Sequence, residues 1–396
     1  MFVSRFSSTD RCKRKPALTD AQQLMYSQEK SVNFRLVSRM VARYAPTRLG
    51  EGDLAPKEVQ DYLAEIGEFA QLAQLTSSID FIFSHIPTLC EPGFPLEGYT
   101  ALPYARVARV FVGKTAAFPG ILAFRFSKLN GTRRQQKQIV LAFSGTTNAH
   151  QALLNLWAVH HPHASQRGTV HRGFWALYEG IRASALDAIR AALSMEEAIT
   201  RTPTGRNTIS EVVVTGHSMG AAVAQLLVLD LLRDDSDMQS LIGGIPLRFV
   251  GFGGPRVGDA ALRALWCELV VARRARYGED AFGEYAIKMY NDGVPALPPL
   301  AFGYRHLVQS AYYAENDKLY RVPPELGEYS RFRTLCHDAT VPVLHPRGGH
   351  MYYNGRDAEG MVRRLGWFKE ALKDEPGVRA AYLTKVEQDA AKAASC

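Results

Sequence analysis

The sequence predicts an α/β protein built on a mostly parallel sheet covered by helices. Three observations lead there. From about residue 210, apolar runs at Val212–Thr215, Leu247–Phe252 and Tyr285–Tyr290 alternate with helical stretches, the pattern of parallel strands joined by crossover helices. Ahead of them, Val107–Val112, Ile121–Phe126 and Gln138–Phe143 read as three more short strands. The composition, 396 residues with 46% hydrophobic and 22% charged side chains, is globular, and a chain of this length buries a large core without disulfides or metals.

Residues 1–19 carry Arg5, Arg11, Lys13, Arg14 and Lys15 with no apolar run behind them, so no secretory signal is predicted. A helix is predicted over Ala21–Tyr44, with Leu36, Val37, Met40, Val41 and Tyr44 on one face and Arg35, Arg39 and Arg43 on the other. Pro46–Pro56, broken by Gly50 and Gly52, reads as a linker closing an N-terminal arm of residues 1–56. Helix resumes over Glu58–His85, where Tyr62, Ile66, Phe69 and Leu72 keep helical spacing, and again near Val170–Leu193. Val212–Leu229 is 18 residues without a charge, but the glycines in its middle divide it into a buried strand, a sharp turn and a core helix rather than a membrane span. The main domain runs over residues 57–372, and 373–396 reads as a frayed helical tail.

The formal net charge is +8, of which the first 50 residues supply +7. A nearly neutral body excludes a nucleic-acid enzyme with a basic cleft and leaves an anionic membrane or acidic partner for the arm alone. Cysteines 12, 90, 267, 336 and 396 are odd in number and lack C-x-x-C spacing, so no disulfide framework or zinc site is readable and a reducing, cytoplasmic location is expected. Oligomeric state is not readable.

The chemistry centres on Gly216-His217-Ser218-Met219-Gly220, set between Val212-Val213-Val214-Thr215 and Ala221-Ala222-Val223-Ala224. A serine between a strand and a helix, with small residues two before and two after, is the arrangement of a nucleophile elbow. Its hydroxyl needs a base and an acid to orient that base, and in this arrangement the chain order is Ser, acid, His. Asp292 ends the strand Glu284–Tyr290 and is the candidate acid, with turn capping as the alternative role. Of the later histidines, His306 falls in an expected strand, Tyr304–Tyr313, and reads as structural. His350, after Gly348-Gly349, is the candidate base, with His345 and His337 as alternatives. Backbone donors for an oxyanion are expected from Met219 and from Thr146, which follows the strand Ile139–Phe143.

Five blocks in order resemble the class 3, fungal-type lipases of the α/β-hydrolases: Val140–Thr146, Val170–Phe174, Gly216–Gly220, Gly251–Gly258 and Asn291–Pro299. The resemblance covers roughly residues 100–355 and implies an α/β-hydrolase fold with a lid segment. It implies Ser218 as nucleophile, Asp292 as acid, His350 as base, and Thr146 and Met219 as oxyanion donors. The sequence departs from the family at Ser144, usually Arg, and at Asn155, near a common Asp. A lid is expected over residues 147–168, with Leu153, Leu156 and Trp157 on its apolar face. His160-His161-Pro162-His163 reads as exposed loop histidines rather than a metal site, for lack of acidic or Cys partners. His171 and His217 read as structural.

The expected activity is hydrolysis of acylglycerol esters through an acyl-enzyme, without metal or cofactor. Phospholipase A1 action and short-chain esterase action are the close alternatives. A non-catalytic lipase-like binding protein and an acyltransferase are the more distant ones. The expected substrate is a lipid ester, met at a membrane or lipid-droplet surface, and no nucleic-acid partner is expected.

Overall fold

A computed structural model of the chain describes residues 22–23, 40–128, 135–146, 151, 158–200, 209–233, 242–338, 349–374 and 376–394. At its centre is an eight-stranded sheet. Its strands are β2 (Ala105–Val112), β3 (Pro119–Lys128), β4 (Gln135–Phe143), β7 (Ile209–His217), β8 (Leu247–Phe252), β9 (Phe282–Met289), β10 (Ala311–Glu315) and β11 (Lys318–Val322). Two minor pairs complete the set: β1 (Tyr44–Arg48) with β12 (Arg331–Arg333), and β5 (His160–Pro162) with β6 (Thr169–His171). In space the sheet runs β11-β10-β9-β8-β7-β4-β3-β2. The five inner strands β4, β7, β8, β9 and β10 are parallel, and antiparallel strands flank them on both sides.

Strand alternation sends side chains to two separate cores. Along β4, Ile139, Leu141 and Phe143 join one core, while Val140 and Ala142 join the other. The first is covered by α2 (Arg172–Thr200), α3 (Met219–Leu232) and α4 (Ala260–Tyr277). Every residue of α3 is buried, and apart from Gln225 and Asp230 its sequence is apolar on all sides instead of on one stripe. The second core lies under α1 (Lys57–Leu72), the short helices that follow it, α5 (Ala358–Ala371) and α6 (Val378–Ala394).

Several expectations are corrected by packing. Pro46–Pro56 is not a free linker: the end of β1 falls inside it, Leu49 and Ala55 are buried, and the Ala55 N–H donates to the Leu319 carbonyl at 2.8 Å. Tyr44 belongs to this strand and not to a helix, because pairing with Arg331 supplies its partners. Most of the arm's expected helix lies outside the described residues. The helix expected over Glu58–His85 ends at Leu72 and continues as a 3-10 segment, Ala73–Ser78, kinked at Leu75, then a short helix Ile79–Ser84. Val170 sits in β6, so the helix after it starts at Arg172. His306 precedes β10 in an irregular segment. The C-terminal helix is not frayed: Tyr382 is fully buried and stacks on Phe94 with ring centroids 4.8 Å apart. Among the described residues no helix is long and apolar enough to cross a membrane.

Candidate active site

The turn between β7 and α3 holds Ser218 at φ 57°, ψ −125°, a conformation that costs a non-glycine residue of order 1–3 kcal/mol and persists only where surroundings enforce it. The Ser218 N–H donates to the Phe252 carbonyl at 2.8 Å. Two glycines make the turn possible. A Cβ on Gly216 would lie 2.4 Å from the Gly220 carbonyl carbon, and one on Gly220 would lie 2.3 Å from the Phe143 carbonyl oxygen. Strand and helix therefore meet backbone to backbone, and the serine is left standing at the strand end.

Ser218, His350 and Asp292 come together from segments far apart in the chain. His350 Nε2 is 3.0 Å from Ser218 Oγ, and His350 Nδ1 is 2.9 Å from Asp292 Oδ2. A carboxylate only accepts, so Nδ1 carries the proton and Nε2 presents its lone pair to the serine hydroxyl. Asp292 and His350 are both buried. Gly349 lets the histidine loop pass the end of β9, since a Cβ there would lie 2.6 Å from the Tyr290 carbonyl oxygen.

Asp292 is held from three directions. Its Oδ1 accepts from the Val294 N–H at 2.9 Å, and its Oδ2 accepts from His350 and from the Tyr353 hydroxyl at 2.6 Å. Burial and the adjacent Asp292 charge raise the Tyr353 pKa well above its ordinary value, so the phenol remains a donor. Gly253, at φ 58°, leaves room for this contact: a Cβ there would sit 2.8 Å from Asp292 Oδ2 and 2.9 Å from the Tyr353 oxygen. Tyr353 is the residue that sequence reasoning missed. Its position three residues after the histidine was the available signal, but nothing in a lone tyrosine indicates which way it points.

The segment after Asp292 is held by the buried side chains of Arg256 and His306. The Arg256 guanidinium donates to the carbonyls of Ala296 and Pro298 at 2.5 and 2.9 Å and pairs with Glu328 at 2.8 Å. His306 Nε2 donates to the Pro295 carbonyl at 2.9 Å; burial, with Lys288 and Arg256 nearby, pulls its pKa well below the usual range and keeps it neutral. Lys288 donates to the Tyr329 carbonyl at 2.9 Å and to that of Gly327, and burial draws its pKa down to about 7.

Of the expected oxyanion donors, Met219 is the first residue of α3, where backbone N–H groups have no partner within the helix. Thr146 is exposed at the end of β4, its Oγ1 3.8 Å from Met219 Sδ, so the two residues adjoin. Ser144, which stands where the resembled family usually has Arg, is buried and donates to the Gly145 carbonyl at 3.0 Å. Asn155 and the lid residues Leu153, Leu156 and Trp157 lie outside the described residues, as does His345. His337 lies on the turn Leu335–Asp338, and the imidazole that meets Asp292 and Ser218 is His350's.

Of the histidine run expected as exposed loop side chains, His160 is exposed but lies in a strand, His161 is half-buried and His163 is buried. His160 and His161 lie in β5, which pairs with β6, and His163 is buried, which draws its pKa down to about 4. His160 stacks on Tyr304, with Nε2 donating to the Phe302 carbonyl at 2.7 Å. Buried Tyr304 and the Phe302 carbonyl draw these residues into structure, a role that no sequence spacing announces. Among the described residues no group of three or more His, Cys, Asp or Glu is placed to hold a metal. Cys90, Cys267 and Cys336 are unbridged.

This fold, with a serine on a strand–turn–helix elbow and a buried His–Asp pair behind it, is that of an α/β-hydrolase. Residues 140–302 match the model of the family Lipase (class 3). The chain is similar to a secreted mono- and diacylglycerol lipase 1 of Fusarium solani, 31% identical over 44% of this chain and 44% of that protein. It is also similar to a lipase of Rhizomucor miehei, 28% identical over 46% of this chain and 43% of that protein. Phospholipase A1-II 4 of Oryza sativa subsp. japonica is 30% identical over 34% of this chain and 31% of that protein. The matched stretch thus spans under half the length of each relative. A solved fungal lipase–inhibitor complex shares the fold with a TM-score of 0.50 at 16% identity, over 77% of this chain and 97% of that one. These relatives overturn the expected cytoplasmic location: the Fusarium lipase and a similar one from Penicillium cyclopium are both named secreted. A few scattered cysteines carry too little information to report a compartment.

Proposed function

We propose that this protein is a serine carboxylester hydrolase acting on acylglycerol lipids. The observation that carries the reading is the continuous chain from Ser218 Oγ through His350 to Asp292, with contacts of 3.0 and 2.9 Å. In the proposed reaction His350 Nε2 takes the Ser218 proton as Oγ attacks the ester carbonyl, and the N–H groups of Met219 and Thr146 receive the oxyanion. His350 then returns the proton to the departing glycerol oxygen. Water releases the fatty acid from the acyl-enzyme by the same steps in reverse roles. Asp292 keeps the imidazole in the Nδ1–H tautomer, and Tyr353 steadies Asp292.

Acylglycerol is chosen because the relatives named above include mono- and diacylglycerol lipases. A phospholipase A1 reading on the same site is favoured by the resemblance to the rice enzyme. Contact with a lipid surface is proposed where Val159, within the stretch expected as the lid, and Phe302 are 53% and 62% exposed on segments joined by His160. The test is initial rates on p-nitrophenyl esters of two to sixteen carbons, above and below their aggregation points, followed by glycerolipids and phospholipids. Ser218→Ala is expected to remove most of the rate, on the order of 10⁶-fold where a triad serine is lost. A rate that survives the substitution overturns the proposal, and one confined to short dissolved esters makes the protein an esterase.

A further inference from the structure

We infer that Gln74, on the 3-10 segment after α1, is a positioning residue that holds His350 in place by acting through His217. The inference rests on the triad reading above. His217 occupies the position immediately before the nucleophile in the elbow. Its Nε2 lies 2.8 Å from the backbone carbonyl of His350. A carbonyl only accepts, so Nε2 bears the ring proton. Nδ1 is then a lone pair, and the Gln74 side-chain amide nitrogen faces it at 3.3 Å as a donor. The three groups form a directed chain, Gln74 to His217 to the His350 backbone, in which each step fixes the proton of the next.

The surroundings keep that chain in a single state. His217 is buried, and burial together with the adjacent His350 pulls its pKa down to about 3, so it stays neutral. Its ring packs against the His350 ring, with centroids 4.6 Å apart. Gly145, at the oxyanion turn, borders this chain: a Cβ there would make ordinary van der Waals contact with His217 Nδ1 at 3.6 Å and the Gln74 amide nitrogen at 3.8 Å. The His350 carbonyl and the Gln74 amide select the same tautomer of His217, one by accepting from Nε2 and the other by donating to Nδ1. With the proton on Nδ1 instead, the Nε2 lone pair would face the His350 carbonyl oxygen and the histidine loop would lose its anchor. The neighbouring Gln71 acts in a similar direction, donating to the Tyr353 carbonyl at 3.4 Å while accepting from the Tyr99 hydroxyl at 2.5 Å. Both glutamines lie outside the stretch that matches the family, so this bracing is supplied by the chain's own N-terminal helical layer.

Two near-isosteric substitutions separate positioning from packing. Gln74→Leu keeps the bulk and removes the donor. Gln74→Glu keeps the shape and reverses the hydrogen-bond polarity, drawing a proton onto His217 Nδ1. The expected result is a kcat about five- to tenfold lower in Gln74→Leu, and lower still in Gln74→Glu, with KM unchanged in both, a loss the size of one hydrogen bond. In ¹⁵N spectra of the Ser218→Ala protein, His217 Nδ1 is expected in the unprotonated range, moving to the protonated range when Gln74→Glu is added. That readout needs no turnover, so absence of any Ser218-dependent rate counts against the catalytic reading alone. An Nδ1 that is protonated with Gln74 in place, or unmoved by Gln74→Glu, overturns the inference. So does an unchanged kcat in both variants while Ser218 is required.

Discussion

Tyr353 and His350 share one oxygen of Asp292, the phenol at 2.6 Å and the imidazole at 2.9 Å. The acid is thus not free to rotate toward a different partner, and the tyrosine neutralises part of the charge that His350 would otherwise face alone. Tyr353→Phe removes the hydroxyl without opening a cavity. A hydrogen bond to a charged acceptor is worth about 1.5–3 kcal/mol, which corresponds to a drop of about ten- to a hundredfold in kcat if all of it is felt at the transition state. Steady-state kinetics on a soluble ester check this, with KM expected to hold.

Gly253→Ala is expected to be worse than its size suggests. The new methyl would lie within 2.9 Å of both the Asp292 carboxylate and the Tyr353 hydroxyl, on a backbone at φ 58°. Displacing the acid by an ångström costs about a hundredfold in rate. Activity should fall by at least that much, and reaction with a fluorophosphonate probe should slow in parallel. A normal labelling rate would mean that Asp292 is not displaced.

Arg256→Met takes this donor from the carbonyls of Ala296 and Pro298 in a buried site and removes the 2.8 Å partner of Glu328, which keeps the His306 N–H and Arg263. Breaking one side of a buried pair costs about 3–5 kcal/mol. Urea unfolding should report a loss of that order, since the strand end that presents Asp292 is packed through this guanidinium.

Glu315 gives a pH prediction. Burial raises its carboxyl to about 7, partly opposed by the Thr334 hydroxyl that donates at 2.7 Å. A folded state that holds its proton more tightly than the unfolded chain loses stability as pH rises between the two pKa values. The penalty is therefore absent at pH 4, grows from about pH 4.5 to 7 and is complete above that. Glu315→Gln should remove this slope and be more stable than the parent at pH 8, by up to about 3 kcal/mol, with little difference at pH 4.5. Urea midpoints at the two pH values decide it.

Legibility followed how local each cause was. The elbow at Ser218 could be read because its requirements, β-branched residues, two glycines and a small-residue helix start, all fall within a dozen positions. Asp292 was legible as the residue ending a strand. Tyr353, Arg256 and Gln74 were not, because each acts on a partner distant in sequence and its residue type alone carries no direction. The failed elements share that cause. Tyr44 looked helical and Pro46–Arg48 looked like a linker because their strand partner, Arg331–Arg333, lies nearly three hundred residues away. The C-terminal helix looked frayed because its alanines and charges hide one anchoring ring, Tyr382, whose pocket is made by Phe94 and Phe368.

The packing of that last helix has a consequence for the order of synthesis. Ser218 leaves the ribosome well before His350, and the histidine's segment is seated on a layer built from residues 57–102 and closed by α5 and α6. The nucleophile is therefore made well before its base, and the three groups can meet only after His350 has emerged. A triad ordered in this way cannot close while His350 is still to be made, and the layer that seats the histidine is closed by helices that come later still.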